Sequence, residues 1–90
     1  MSEITNPQDV ELEEIVLGAC LLESKAITLV ASILRPEVFY TETNRDIYAA
    51  LQSLYHAGQA IDIMTIKEEL ARRGKLESIG GLYTCLLYTS

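Results

Sequence analysis

Apolar residues recur at intervals of three and four along most of the chain, and this spacing matches the 3.6-residue period of an α-helix. Proline or glycine interrupts the pattern at Pro36, Gly58, Gly74 and Gly80-Gly81. No stretch shows the sustained alternation of apolar and polar residues that is typical of a half-buried β-strand. The pattern therefore predicts an all-α fold: a small helical domain of four helices and the start of a fifth, joined by short loops.

A residue suited to capping a helix precedes each of the first four apolar segments. Before the fourth, Ile61 and Ile66 are spaced as a hydrophobic staple, in which two apolar side chains clasp the first turn. Arg35-Pro36 ends the second segment, because a residue before proline avoids the helical conformation. The predicted caps are Asp9, Ser24, Thr43 and Asp62, and the predicted stops after the third and fourth helices are Gly58 and Gly74, with the fifth segment beginning at Leu82 after the break at Gly80-Gly81.

The same periodicity predicts which side chains form the core. In the first helix it selects a stripe from Leu12 to Leu22, and in the fourth it selects Ile66 and Leu70. Phe39, the only phenylalanine, is expected to fill the core rather than to recognise a partner. The predicted core is Leu12, Ile15, Val16, Ala19, Leu22, Ile27, Val30, Leu34, Phe39, Ile47, Leu51, Leu54, Ile61, Ile66 and Leu70.

Length and charge limit what such a domain can do. The chain has 90 residues, and at roughly 100–200 residues per domain that allows one small domain or part of one. The net charge is −6, and the excess of acid lies in residues 1–24, which hold six acidic residues and no base. An acidic surface repels the phosphate backbone, so autonomous DNA binding is disfavoured. The basic cluster is expected to interact favourably with the negative C-terminal end of a helix rather than to bind phosphate. Its residues are Arg72, Arg73 and Lys75.

No residue pattern in the chain indicates catalysis. There is no glycine-rich phosphate-binding loop ending in Lys-Ser or Lys-Thr. Cys20, Cys85 and His56 are too few for a four-ligand zinc site. Cys20 lies in an apolar run and is expected to be a small buried hydrophobe, and His56 is expected to be solvated at a helix end. The pairs Glu13-Glu14 and Glu68-Glu69 are expected to be exposed acids at the surface. We therefore assign no catalytic, cofactor-binding or metal-binding residue, and the partner-binding residues stay unassigned.

Five short segments, in order, resemble the replicative DNA helicases of the DnaB family. The resemblance spans residues 7–83, and Glu37 and Asn44 depart from the family pattern D-F-Y…H-x-x-I-f. The segments are PQDVELEEIVLGACLL at 7–22, LRPEVFY with NRDIYAA at 34–40 and 44–50, GQAIDIMTI at 58–66, LARRGKL at 70–76 and IGG at 79–81.

The resemblance implies the N-terminal domain of such a helicase. In that family the domain is all-helical, forms a collar on a hexameric ring and binds primase. The resemblance therefore implies a homo-oligomer and primase as partners, and a parent chain that is an ATP-dependent DNA helicase. ATP, Mg²⁺ and DNA would bind a RecA-like C-terminal domain that this sequence does not contain. No run approaches the roughly 20 apolar residues of a membrane span, and no signal peptide is evident, so we expect no membrane partner and a cytoplasmic location.

The ends of the chain depart from the family pattern. We predict a disordered leader at 1–6, a helicase N-terminal domain truncated on its C-terminal side at 7–84, and a non-native tail at 85–90. The tail reads CLLYTS, and its reverse translation TGT-CTC-TTA-TAC-ACA-TCT spells the transposase end sequence used in common sequencing libraries. A segment of that origin is not part of the native protein and does not contribute to its fold.

Two alternatives to a collar domain stay open at the level of sequence. One is a free-standing acidic helical adaptor, such as a helicase inhibitor or a loader-like protein from a mobile element. The other is an acidic mimic of nucleic acid, which would need the acids of residues 1–24 to form one exposed face. Partial burial of Glu11, Glu13 and Glu14, or their use at a helix start, would argue against the mimic.

Overall fold

The computed structural model describes residues 7–78, 80–81 and 83–84. Within those ranges every regular element is helical, as the periodicity predicts. The elements are α1 (Pro7–Leu22), α2 (Ser24–Val30), a first 3₁₀ turn (Pro36–Val38), α3 (Glu42–His56), α4 (Ile63–Arg72) and a second 3₁₀ turn (Leu76–Ser78).

Helix α3 is the centre of the domain, since it packs against every other element. Its apolar side chains Ile47, Ala50 and Leu51 are fully buried, and Tyr48 is buried beside Phe39 with 5.1 Å between ring centroids. The Tyr48 hydroxyl lies 2.9 Å from the carbonyl oxygen of Leu34 and 3.2 Å from that of Val30. The hydroxyl of this buried tyrosine therefore has hydrogen-bond partners, which belong to the end of α2 and the segment that follows it.

The end of α3 and both ends of α4 are capped as their sequences indicate. Asp62 caps α4 and accepts a hydrogen bond from the Thr65 backbone N–H, while the Thr65 hydroxyl accepts one from the Asp62 N–H. This reciprocal pair is a capping box. Gly58 and Gly74 follow α3 and α4 with φ of 70° and 75°, a left-handed conformation that glycine adopts without steric cost.

Several predicted boundaries are wrong. The cap of α3 is Thr41, whose side chain accepts from the Asn44 N–H, so the predicted cap Thr43 lies inside the helix. Helix α1 begins at Pro7, which places Asp9 within the helix, because proline is well suited to a first helical position. The N-cap position of α2 is Glu23 rather than Ser24, its side chain makes no capping hydrogen bond, and the helix ends at Val30. Gly80 and Gly81 are themselves helical, contrary to the predicted break, and Leu82, the predicted start of the fifth segment, lies outside the described residues.

The largest difference between the predicted and the observed core concerns which side of α1 is buried. Leu12, Ile15 and Leu22 are 59%, 40% and 56% exposed, although the periodicity selects them for the core. The buried residues on this helix are instead Leu17, Cys20 and Leu21. The other predicted core residues are buried or half-buried, and so is Cys20, as expected. The core also takes in residues that the periodicity does not select: Leu17, Leu21, Ala31, Tyr48 and Ala50.

The predicted leader at 1–6 and tail at 85–90 lie outside the described residues, so these domain boundaries stay predictions. In the described part of the chain, no helix combines the length and the apolar character that crossing a lipid bilayer requires.

Candidate functional site

Glu13 joins α1 to the start of α3. Its carboxylate accepts hydrogen bonds from the Tyr40 backbone N–H at 2.7 Å and from the Asn44 side-chain amide at 3.0 Å. From the other side, the Arg45 guanidinium donates to the carbonyl oxygens of Phe39 and Tyr40, each at 2.9 Å. The loop before α3 is therefore fixed by one acid and one base. The sequence pattern assigned Glu13 only to the surface of α1, and nothing in the spacing signals a contact 31 residues away.

We expect Glu13→Ala to lower the free energy of unfolding by about 1–3 kcal/mol, because it leaves a backbone N–H and a buried amide without their charged acceptor. The measurement is urea unfolding followed by circular dichroism. Glu37→Ala is the control, since Glu37 is exposed in the first 3₁₀ turn. Equal stability of the two variants would show that the link does not stabilise the fold.

The basic cluster near the end of α4 is engaged within the domain. Arg72 and Arg73 both pair with the Glu69 carboxylate, and the Arg73 Nε lies 2.8 Å from its oxygen. Glu69 is only 5% exposed, so the expectation of a solvated acid is wrong here: its two arginines satisfy the charge as it is buried. Lys75 lies 3.5 Å from Glu42 at the start of α3. The two arginines neutralise Glu69 within α4, and the contacts with α3 are made by Lys75 and by Arg73, whose guanidinium donates to the Ala49 carbonyl at 3.4 Å. These roles support the structural interpretation of the basic cluster.

A shallow depression of about 340 Å³ lies beside this cluster, lined by Ala49, Gln52, Ser53, His56 and Arg73. Its polar groups are mostly committed to the fold. The Gln52 amide donates to the Ala31 carbonyl at 2.9 Å, and Arg73 is held by Glu69. His56 is exposed and packs edge-on against Tyr55, with 5.5 Å between ring centroids. Ser53 and His56 both line the depression, but among the described residues no hydrogen bond joins their side chains, so the nucleophile–base pair that covalent catalysis needs is not formed here.

Cys20 is buried at 1% exposure, and burial raises the pKa of its thiol to about 11. A thiol so rarely ionised near neutral pH is a core residue and not a nucleophile, which confirms its prediction as a small buried hydrophobe. Cys85 lies outside the described residues. Among the described residues, no three His, Cys, Asp or Glu side chains are grouped closely enough to hold a metal ion.

Glu14 carries an electrostatic cost. Partial burial, and then the neighbouring charges of Glu11 and Glu13, raise the pKa of its carboxyl above the ordinary 4.5. The protonated form is favoured in the folded state, so ionisation of this residue lowers the free energy of unfolding as the pH rises through its pKa.

We expect Glu14→Gln to unfold at a higher temperature than the wild type at pH 7, with the gain disappearing below about pH 4.5. Thermal melts from pH 3.5 to 7.5 test this, with Glu37→Gln as the control of equal charge change; a gain that does not depend on pH would contradict it.

These observations define a small all-α domain in which the polar clusters of the described residues connect one helix to the next. A family model for the DnaB-like helicase N-terminal domain matches residues 5–88. The chain therefore belongs to the DnaB-like helicase N-terminal domain family. The glutamate link and the glycines after α3 and α4 lie within the matched segment.

Curated relatives agree with this assignment. The chain is 45% identical over 74 residues to the replicative DNA helicase DnaB of Rhodothermus marinus, covering 82% of this chain and 8% of that protein. It is 40% identical over 76 residues to the replicative DNA helicase DnaC of Bacillus subtilis strain 168, covering 84% and 17%. The chain thus spans only a small part of the curated relatives it matches.

A solved structure shows the same fold. The crystal structure of the N-terminal domain of DnaB helicase from Mycobacterium tuberculosis superposes with a TM-score of 0.82 at 41% sequence identity. The match covers 91% of this chain and 59% of that one. The expected fold class and family are therefore confirmed.

Proposed function

We propose that this domain is the N-terminal collar of a hexameric replicative DNA helicase, where it helps to hold the ring together and to dock primase. Two observations support this proposal: the family match over residues 5–88 and the structural similarity to a DnaB N-terminal domain. In this proposal the domain supplies surfaces and a rigid core, and no chemistry of its own. Unwinding, with ATP, Mg²⁺ and DNA as its ligands, is the work of a C-terminal domain in the parent protein, and that protein acts in the cytoplasm.

A rigid helical domain suits this role. Glu13 links α1 to α3, and Lys75, just after α4, pairs with Glu42 of α3. Helices α1, α2 and α4 all pack on α3, so their outer surfaces hold fixed relative positions. Fixed surfaces allow several copies to pack with the same geometry, which a closed symmetric ring requires. The acidic character of residues 1–24 also keeps this part of the domain from competing for the DNA backbone.

A chimera tests the proposal. In the chimera, the aligned part of this chain replaces the matching segment of DnaB from Geobacillus stearothermophilus. The two chains are 38% identical over 81 residues. We expect native mass spectrometry to find the same hexamer as for the unmodified relative, with its unwinding still stimulated by primase. A chimera that folds but forms no hexamer, or ignores primase, would contradict the corresponding half of the proposal.

The adjoining gene sequence separates the collar from a free-standing adaptor. A reading frame that continues beyond Thr84 into a phosphate-binding loop of the form G-x-x-x-x-G-K-[ST] supports a helicase. A stop codon directly after residue 90 supports the adaptor. The same read tests whether residues 85–90 are encoded by the library end sequence, since any other codon usage there would exclude that origin.

A further inference from the structure

Two polar contacts hold the chain that follows α4 against the helices before it. The Ser78 hydroxyl donates to the Asp46 carboxylate on α3 at 3.0 Å, and Ser78 is only 1% exposed. Further along, the Tyr83 hydroxyl lies 3.0 Å from the Lys67 Nζ on α4, and the same ammonium group lies 5.6 Å from the centre of the Tyr83 ring. This part of the chain is therefore joined to both α3 and α4.

Between these two contacts, the backbone approaches α3 closely at Gly81. A Cβ at this position would overlap the Thr43 Cγ2 and would lie 3.7 Å from the Thr43 Cβ. Glycine has no Cβ, so it allows an approach that other residues would block. At the neighbouring Gly80, an added Cβ would meet nothing within 4 Å, so only the second glycine makes the contact. We call Ser78, Gly81 and Tyr83 the latch.

The latch lies mostly at the surface, unlike the helix on which it rests. Of the described residues from Leu76 to Thr84, only Ser78 is buried, and Leu76 and Tyr83 are 58% and 47% exposed. The contact between Lys67 and Tyr83 is also exposed, and a cation–π contact in water contributes only weakly. An element with few buried contacts opens at a lower free-energy cost than the core beneath it.

We propose that the latch alternates between a docked state and a released state while α1 to α4 stay folded, with Gly81 as its docking point. The docked latch fixes the direction in which the chain continues beyond Thr84, and its release frees that direction. The latch is therefore a conformational device that sets how rigidly the four helices are joined to the residues that follow them. The proposal goes beyond the collar role and does not depend on it.

Amide hydrogen exchange followed by NMR tests whether the latch is released separately. The Ser78 N–H is the reporter, because it is buried and donates to the Lys75 carbonyl oxygen at 3.0 Å. Each exchange rate is divided by the intrinsic rate of an unprotected amide. On this scale we expect the Ser78 amide to exchange more slowly than an unprotected amide, yet at least about tenfold faster than the amides of Ile47 and Leu51 in the core of α3.

Three variants separate release of the latch from unfolding of the whole domain. Gly81→Ala should speed exchange of the Ser78 amide at least about fivefold through overpacking, whereas Gly80→Ala should not speed it. Ile27→Val truncates a buried side chain of α2 and should speed exchange of the α3 amides about twofold to tenfold. The same variant should leave the Ser78 amide unchanged, because release of the latch keeps α2 folded.

An engineered disulfide should hold the latch in its docked state. The 3.7 Å between the Thr43 Cβ and a Cβ at position 81 lies within the range of about 3.5–4.5 Å found in disulfides. In Thr43→Cys with Gly81→Cys, oxidation should slow exchange of the Ser78 amide at least about tenfold, and reduction should reverse this. Thr43→Cys with Gly80→Cys is the control and should form its disulfide far more slowly. Both proteins also carry Cys85→Ser, which removes a competing thiol.

Three results would overturn the proposal. The first is a Ser78 amide that exchanges as slowly as the α3 amides, or that follows them in Ile27→Val, since the latch would then open only with the whole domain. The second is a Ser78 amide without protection, which would show that the latch is not docked. The third is exchange at Ser78 that responds neither to Gly81→Ala nor to the disulfide, which would show that Gly81 is not the docking point.

Discussion

Leu17→Ala is expected to lower the free energy of unfolding by about 2–5 kcal/mol, the range for truncating a fully buried leucine. Leu17 has no exposed surface and lies on the inner side of α1. At about 4–8 °C per kcal/mol for a domain of this size, the melting temperature should fall by at least about 8 °C. Thermal and urea unfolding followed by circular dichroism measure this loss.

Leu12→Ala is the matched control for Leu17→Ala, because it removes the same atoms from the same helix. Leu12 is 59% exposed, so its truncation should change the free energy of unfolding by no more than about 0.5 kcal/mol. The apolar periodicity alone predicts the reverse order of these two variants. A larger loss for Leu12→Ala than for Leu17→Ala would restore the predicted face and contradict the observed packing of α1.

Gly81→Ala is expected to cost about 1–3 kcal/mol through overpacking. A methyl group at this position would collide with the Thr43 Cγ2 on α3 and touch the Ile47 Cδ1 at 3.4 Å. Thr43 is β-branched and helical, so its methyl group has little freedom to move aside. Adding Thr43→Ser removes that methyl group, and the double variant should regain most of the lost stability. Urea unfolding of the four proteins in this double-mutant cycle measures the coupling.

Gly80→Ala provides the comparison for Gly81→Ala. Gly80 is also helical, but an added Cβ there meets nothing within 4 Å. Alanine is favoured over glycine in helices by about 1 kcal/mol, so this variant should be as stable as the wild type or more stable. Equal destabilisation by the two substitutions would show that Gly81 is not required by its contact with Thr43. A difference between the two variants would give a physical reason why position 81, the second glycine of the IGG segment, holds a glycine rather than a larger residue.

Local rules predict α4 and the end of α3 well. Asp62, Gly58 and Gly74 act through atoms within a few residues, so short-range sequence contains the information needed to place them. The cap of α3 was misplaced by two residues because Thr41 and Thr43 are chemically equivalent candidates. Choosing between them depends on the path of the chain after the first 3₁₀ turn, which is set by contacts with Glu13 and Arg45.

Long-range choices could not be made from the sequence. Helix α1 offers two apolar sides, and the spacing of Leu12, Ile15 and Leu22 matches a helix period as well as that of Leu17 and Leu21 does. Only the shape of α3 and α2 decides which side is buried. The burial of Glu69 has a different origin: its two arginines lie three and four residues along α4 and make a buried acid tolerable, but the spacing of charges alone does not show which side of α4 meets α3.

The hydroxyl of Tyr48 and the amide of Gln52 both reach back to carbonyl oxygens at the end of α2. Helix α2 has seven residues, fewer than the roughly 12–15 that an isolated helix needs to persist in water. Its end is therefore completed by side chains that belong to α3. We expect α2 to open locally at a lower free-energy cost than α3 and α4, so its backbone amides should exchange hydrogen faster than theirs.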